Sequence, residues 1–412
     1  MLLDCTAYSG PCACGREHKL VTEKVIVEYG AIKDFDRYMA ECGLTGRRTV
    51  IYDSNTYKLP GLPHIAATKE IVMQAEGLHS EKGMIEAIFP RLDDPDVLVA
   101  VGSGTIMDFA RYSAFQLGLP FAAIPTLASA DGYTANICSV MIDGQKKSIP
   151  MNAPVLVVAD LNIISAAPRF LTISGVADIL SKYVSLADWR IAHLVSGEYY
   201  CPRVAAMAEK ALEMMARCAE DMRRGEEPDF EAMTMAHMIS GLTMQMLSNS
   251  RAASGAEHLI AHLVEMKPPR FEGARGVHGE CVGVGTILCA EEYHAMAAKK
   301  PRAKPFVPLN PAWVREKFGP LADGIFKENE HDVLASFDSR NIVDCWAQLV
   351  DIIYTIPPAE ELTALFEAIG AKRTLADIGI DPALKPEVLE ISAAIRNRLT
   401  FARMRRVLDF ED

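Results

Sequence analysis

Short, unbroken apolar runs recur through the first 160 residues, each followed by a segment long enough for a helix. Lys24–Tyr29, Arg48–Tyr52 (ending at Asp53), Val97–Val101, Phe121–Ile124 and Val155–Ala159 are rich in β-branched residues or otherwise continuously apolar. Runs without polar alternation suit strands buried on both faces, the habit of parallel sheets. The lengths between them, such as 32–42, accommodate crossover helices, so the pattern predicts right-handed βαβ units. Ser139–Ile142 and Lys147–Ile149 flank Asp143-Gly144 and predict a hairpin attached to that sheet.

Beyond Pro168 the strand pattern nearly vanishes. Val204–Arg224, Phe230–Ser248 and the shorter Asn341–Tyr354 read as helices rich in Ala, Met, Leu and Glu, and Lys299–Pro311 reads as a loop. The shift divides the chain into an α/β domain over residues 1–165, with a parallel sheet, and an all-helical domain over 166–412.

Composition narrows the class without deciding it. Half of the 412 residues are apolar and 23% are charged, which is ordinary for a globular protein with a sizeable core. A net charge of −12 argues against a nucleic-acid partner. An anionic small molecule stays possible if a metal, a helix N-terminus or a few basic side chains supply local attraction. The longest apolar stretches break well before the roughly 20 residues that span a bilayer. The first ten residues lack a basic n-region and an apolar h-region, so the reading is a cytoplasmic protein without membrane insertion. Ten scattered cysteines suggest reduced thiols. Cys12-x-Cys14-Gly15-x-x-His18 has the look of half a zinc site, with Cys5 as the one nearby fourth ligand. Its spacing departs from the usual zinc pairs, and a turn before the first strand is the simpler reading.

Two segments carry candidate nucleotide chemistry. The run Val97–Val101 enters Gly102-Ser103-Gly104-Thr105, and a helix follows through Ile106, Met107 and Asp108 to Phe115. Strand, glycine turn and helix make a phosphate cradle, because glycines admit the anion and the helix dipole favours its charge. Met107 stands where the third glycine of G-x-G-x-x-G belongs, and the candidate ribose acid, Asp53, lies upstream. This is therefore not the ordinary Rossmann fingerprint, and a tight turn without a ligand remains open. The next strand ends in Pro125-Thr126-Leu127-Ala128-Ser129-Ala130-Asp131-Gly132, small and hydroxylated residues at the edge where open α/β sheets bind ligands.

Three of the ten histidines, His258, His262 and His278, fall within 21 residues. His258 and His262 are spaced to share one helix face. Asp178 lies on a helix whose apolar face would otherwise take a hydrophobic residue. Taken singly, each has a plain structural reading: a hydrogen-bonded core histidine, or a helix ion pair between Asp178 and Lys182. Taken together, one carboxylate and two imidazoles make a divalent metal site with positions left for water or substrate. The H-E-x-x-H protease signature is absent.

In order along the chain, Gly102–Asp108, Pro125–Gly132, Ser174–Lys182 with Ala187-Asp188-Trp189, Ser254-Gly255-Ala256-Glu257-His258, His278-Gly279 with Val282–Thr286, and Arg396-Asn397-Arg398-Leu399-Thr400 resemble the iron-containing alcohol dehydrogenase and dehydroquinate synthase superfamily. Ser-Gly-x-Glu-His points to its glycerol-1-phosphate branch. The resemblance implies a dehydroquinate synthase-like fold and a homodimer or higher homo-oligomer. It also implies hydride transfer between NAD or NADP and a small phosphorylated substrate, dihydroxyacetone phosphate. It assigns one divalent metal, zinc first with nickel or iron as alternatives, to Asp178, His258 and His278. Asp131, Asp178 and His262 take the catalytic and substrate contacts. Asp53, Gly102, Gly104, Thr105, Ile106, Met107, Asp108, Thr126, Leu127, Ala128, Ser129 and Ala135 take the dinucleotide. Ala135 departs from the family, which usually has a serine there, at the loss of one cofactor hydrogen bond of order 1 kcal/mol. Lys182 or Arg251 is the candidate for the substrate phosphate on charge alone. A polyol dehydrogenase of the same fold and an inactive nucleotide-binding relative are the alternatives.

Overall fold

The computed structural model describes residues 2–411. The chain forms two compact units, each discontinuous in sequence. The first takes residues up to Ile142 with 146–179 and 206–250, and the second takes 143–145, 180–205 and the chain from Arg251.

The first unit is built on a seven-stranded sheet. Its strands are β1 (Leu2–Asp4), β4 (Lys24–Glu28), β5 (Arg48–Asp53), β6 (Lys69–Met73), β7 (Val97–Gly102), β8 (Phe121–Pro125) and β11 (Leu156–Asp160), in the order β1-β4-β11-β8-β7-β5-β6. All neighbours run parallel except the edge pair β1 and β4. The five apolar runs of the sequence become the central strands; β7, β8 and β11 are buried at every position and β4 and β5 in their interiors, as their lack of alternation requires. Two edge strands escape the pattern. β6 is half-exposed and β1 is three residues long, so neither carries a continuous apolar run. Two short strands, β2 (Gly10–Pro11) and β3 (Glu17–His18), pair between β1 and β4 in sequence.

The Asp143-Gly144 turn has both residues at positive φ, the geometry of a tight hairpin turn. It joins β9 (Ile137–Ile142) to β10 (Gln145–Pro150). The expected attachment to the main sheet is not found. The sheet's edges are β1 and β6, and the hairpin forms its own two-stranded sheet. Its outer strand bonds instead to the loop at Ser80, where the Met141 N–H donates to the Ser80 carbonyl at 2.7 Å.

Helices α1 (Phe35–Glu41), α2 (Lys82–Glu86), α3 (Gly104–Leu117) and α4 (Leu161–Ile164) belong with the sheet. Phe35 and Met39 of α1 pack with Ile26, Val99, Ile124 and Val158 on one face. The unit also holds most of α5 (Arg169–Leu180) and α7 (Pro202–Arg223) and all of α8 (Phe230–Leu247). Gln245 on α8 is one of its polar ties to the sheet side, donating to Thr22 Oγ1 at 2.7 Å.

The second unit is mostly helical, with α6 (Lys182–Ser196), α9 (Ala256–Met266), α10 (His278–Ala297) and shorter helices toward the C-terminus. The loop expected at 299–311 starts with a strand, Lys300–Ala303, paired antiparallel with Leu408–Glu411. Its residues Lys-Pro-Arg-Ala carry no strand signal, so the partner's register imposes the conformation. On α10, a Cβ at Gly285 would lie 2.5 Å from the Glu257 carbonyl oxygen of α9, so a missing side chain permits this close helix crossing. Asp332 sits 2.8 Å from Arg403 and 2.6 Å from Arg406, an ion cluster with side chains largely out of solvent.

The helical stretch Arg169–Ser196 is long and apolar enough to cross a membrane by length and composition, a feature the sequence reading passed over. Its most apolar window is 83% buried inside the protein, as in a core helix.

Candidate active site

The site begins at the carboxyl edge of the sheet. From β5 the chain crosses outward to β6, whereas from β7 it crosses the other way to β8, so strand order reverses between β5 and β7. Open α/β sheets bind ligands at such a reversal. Asp53 ends β5, Gly102 ends β7 and Pro125 ends β8 opposite Gly102. Gly102 has φ +151°, and a Cβ there would meet Ile106 Cγ1 at 3.1 Å and Asp53 Oδ2 at 3.2 Å. The turn thus needs glycine, and it brings the Asp53 carboxylate against the start of α3. The leading N–H groups of α3, at Gly104, Thr105 and Ile106, have no preceding turn to accept them, which is the anion-binding arrangement of a helix start. Asp53 also locks its own turn, accepting from the N–H groups of Asn55 and Thr56 at 2.9 Å. Met107, in the position of the absent third glycine, is fully buried in the core.

The Asp108 side chain faces inward. It lies 2.6 Å from Arg111 Nη1 and accepts from Ser80 Oγ at 3.1 Å. Arg111, buried and unremarked in the sequence, donates onward to the carbonyls of Gly132 and Ala135. The Asp108–Arg111 pair therefore fixes the loop that follows β8. In that loop the Thr126 N–H donates to the Gly102 carbonyl at 3.2 Å, and Leu127, Ala128 and Ser129 follow. Ser129 Oγ lies 3.5 Å from the Tyr133 hydroxyl, whose burial raises its pKa to about 12. Ala135 is fully buried.

Asp131 closes the loop. Its N–H donates to Asp178 Oδ2 at 3.1 Å, and its own Oδ2 accepts from Ser240 Oγ of α8 at 2.8 Å. Asp178, on α5, is completely buried.

Asp178, His258 and His278 each offer a ligand atom, and these atoms lie within 4.8 Å of one another. His258 is on the first turn of α9 and His278 is the first residue of α10. Both imidazoles are oriented alike. His258 Nδ1 lies 2.7 Å from Glu257 Oε1, and His278 Nδ1 lies 2.7 Å from Glu265 Oε1. A carboxylate at Nδ1 holds the proton there and leaves Nε2 as the lone-pair donor, the usual support of a metal-binding histidine. The residues therefore fit a divalent cation with at least one coordination position left for a substrate oxygen. His262, one turn after His258, is buried; its Nδ1 has no hydrogen-bond partner among the described residues, and burial holds its pKa well below the usual value.

Ser254–His258 is anchored by Asp188 and Glu257. The Ala256 N–H donates to Asp188 Oδ2 at 2.9 Å, and the Gly255 N–H to Glu257 Oε1 at 2.7 Å. Tyr293 and the Phe401 N–H also donate to Asp188, whose burial raises its pKa to about 6 against the pull of Arg251. Arg251, offered by the sequence as a phosphate contact, is engaged with Glu198 at 2.7 Å, and Lys182 is completely buried.

The comparisons with known proteins come to the same place. The family model for iron-containing alcohol dehydrogenases matches residues 26–168. A glycerol-1-phosphate dehydrogenase [NAD(P)+] from Halalkalibacterium halodurans is 30% identical, over 97% of this chain and 96% of that protein. The chain belongs to the glycerol-1-phosphate dehydrogenase family of iron-containing alcohol dehydrogenases. A further member of this family, from the archaeon Methanothrix thermoacetophila, is 33% identical over 64% of the chain and 75% of its own length. Among solved structures, a probable glycerol dehydrogenase from Sinorhizobium meliloti shares the fold with TM-score 0.62 at 19% identity, covering 92% of this chain and 90% of that one.

For this family member, sequence reasoning missed Glu265 and Arg111. Glu265 had a usable signal: it falls three residues after His262 and seven after His258, on the same helix face. Arg111 had none, since a charge on an amphipathic helix ordinarily faces water. Arg396 and Arg398 gather with Arg251 near Ser254–His258. Burial, with the two neighbouring cations, lowers Arg398 to about 10, and the charge of Arg396 reaches His262.

Proposed function

We propose that this chain catalyses reversible hydride transfer between NAD(P)H and dihydroxyacetone phosphate, giving sn-glycerol 1-phosphate. The observation that carries the reading is the meeting of Asp178, His258 and His278 ligand atoms within 4.8 Å, in a chain that matches a glycerol-1-phosphate dehydrogenase along 97% of its length.

A divalent cation bound there supplies Lewis-acid polarisation of the carbonyl oxygen, while a nicotinamide supplies or accepts the hydride. The residues of the chain do the rest. Gly102, Gly104, Thr105 and Ile106 receive the dinucleotide phosphates with backbone N–H groups. Asp53 faces the ribose, where its charge disfavours a 2′-phosphate. Thr126 to Ser129 line the remaining dinucleotide edge, held in place by Arg111. Asp131, fixed by Ser240, holds a substrate hydroxyl, and neutral His262 holds or passes a proton at Nδ1. Arg396 and Arg398 supply the cationic surroundings that a substrate phosphate answers. We further place the protein in the cytoplasm as a homo-oligomer, with zinc as the first candidate metal.

The test is a spectrophotometric assay with dihydroxyacetone phosphate, both reduced nicotinamides and a series of added divalent metals. Strong turnover of dihydroxyacetone phosphate and weak turnover of free dihydroxyacetone is the expected result. A clear preference for glycerol over glycerol phosphate moves the protein to the polyol dehydrogenases. No turnover together with no retained metal marks an inactive relative.

A further inference from the structure

We propose that Cys12, Cys14, His18 and Cys201 form a second, structural metal site that binds zinc. The three sulfurs and one imidazole nitrogen lie within 4.8 Å of one another. None of these residues takes part in the reaction proposed above.

The local fold explains how the first three donors converge. β2 and β3 pair antiparallel, with Gly10 opposite His18 and Pro11 opposite Glu17. Between them the chain reverses over five residues, Cys12 to Arg16. The Cys12 N–H donates to the Arg16 carbonyl, and the Gly15 N–H returns to the Cys12 carbonyl, both at 3.0 Å. Gly15, at φ +84°, makes that reversal possible. The knuckle therefore puts Cys12, Cys14 and His18 on one side of a tight hairpin. The fourth donor comes from far along the chain. Cys201 directly precedes α7, its carbonyl accepting from the Ala205 N–H, and residues 206–223 of that continuous helix belong to the same compact unit as the knuckle.

The second observation is the setting of the imidazole. His18 is 1% exposed, and its Nδ1 lies 2.8 Å from the Met246 carbonyl oxygen. A carbonyl only accepts, so Nδ1 carries the proton and Nε2 presents a lone pair. That Nε2 lies 3.5 Å from Cys14 Sγ. With Zn–N of about 2.0 Å and Zn–S of about 2.3 Å, two ligands of a tetrahedral zinc stand about 3.5 Å apart. Cys201 is completely buried, and among the described residues no disulfide joins any of the ten cysteines. Four protein donors of the Cys₃His type fill a tetrahedral shell, so the site is closed and structural. Binding deprotonates the thiols, releases protons to water and ties the N-terminal hairpin to the start of α7.

The experiment starts from the full-length protein, stripped of metal and reloaded with cobalt(II). Thiolate ligation gives a sulfur-to-cobalt charge-transfer band in the near ultraviolet, which the Asp178/His258/His278 set has no sulfur to produce. The expected result is two metal equivalents per chain and this band. Cys201→Ser and Cys12→Ser lose the band and one equivalent, lower Tm and keep dehydrogenase turnover with added metal. No band in the wild-type protein, or a band unchanged in both variants, overturns the proposal. Should the variants not fold, a thiol titration of the native wild-type protein before and after chelation decides. The proposal requires the half-buried Cys12 and Cys14 thiols to become reactive, and an unchanged count rejects it.

Discussion

Glu265 Oε1 stands 2.7 Å from His278 Nδ1, which makes a residue that touches no substrate the one that aims an imidazole at the proposed metal. The arrangement repeats at Glu257 and His258 at the same distance. Such carboxylate–histidine pairs fix the tautomer and raise the basicity of the donor nitrogen.

Replacing Glu265 by Gln keeps the shape and removes the charge. Metal affinity should fall about 10- to 100-fold with the fold unchanged. Equilibrium dialysis against a metal buffer measures this, and excess metal in the assay should restore most of the turnover. Unaltered affinity would mean that the pair is incidental.

His278→Ala goes further by removing a ligand. The variant should fold and lose most of its metal and activity. Elemental analysis alongside initial rates checks both. Full turnover in a metal-free variant would take the cation out of the mechanism.

Asp53→Asn tests the proposed ribose contact. The amide can still accept from the Asn55 and Thr56 N–H groups, so the turn persists while its charge is gone. The ratio of kcat/KM for NADPH over NADH should rise about tenfold, which corresponds to roughly 1.4 kcal/mol. An unchanged ratio places the carboxylate away from the ribose.

Arg396→Ala should raise KM for dihydroxyacetone phosphate and leave free dihydroxyacetone unaffected. Equal losses for both substrates would show a structural role rather than phosphate recognition.

Asp332→Asn separates stability from chemistry. Burial disfavours the charged carboxylate, but Arg403, Arg406 and the Leu334 N–H outweigh it and hold the pKa below the usual Asp value. Removing one member of a buried ion cluster typically costs about 3–5 kcal/mol. Because the folded pKa is depressed, this contribution is complete above the ordinary value of 3.8 and fades as pH falls through the folded pKa. Urea midpoints of wild type and variant should lie far apart at neutral pH and converge in acid.

The legibility of this fold follows from where information sits in a chain. Val97–Val101 and Val155–Ala159 declare themselves because a strand buried on both faces admits no polar residue. β6 stays silent because an edge strand half in water has no such constraint. His258, His262 and His278 attract notice by clustering, and Asp178 by being an acid on an apolar helix face. Cys201 could not be joined to Cys12, Cys14 and His18, because only tertiary folding brings α7 to the hairpin. Arg251 read as an available cation, since sequence spacing does not reveal Glu198 beside it.

The contact at position 285 gives an unsubstituted carbon leverage over the spacing of the proposed metal ligands. With the Glu257 carbonyl where a methyl would sit, any side chain there acts as a wedge between the helices that carry His258 and His278. At the proposed metal site, widening the gap between those imidazoles by a fraction of an ångström would change which divalent cations they suit, so a substitution at Gly285 is expected to shift metal selectivity.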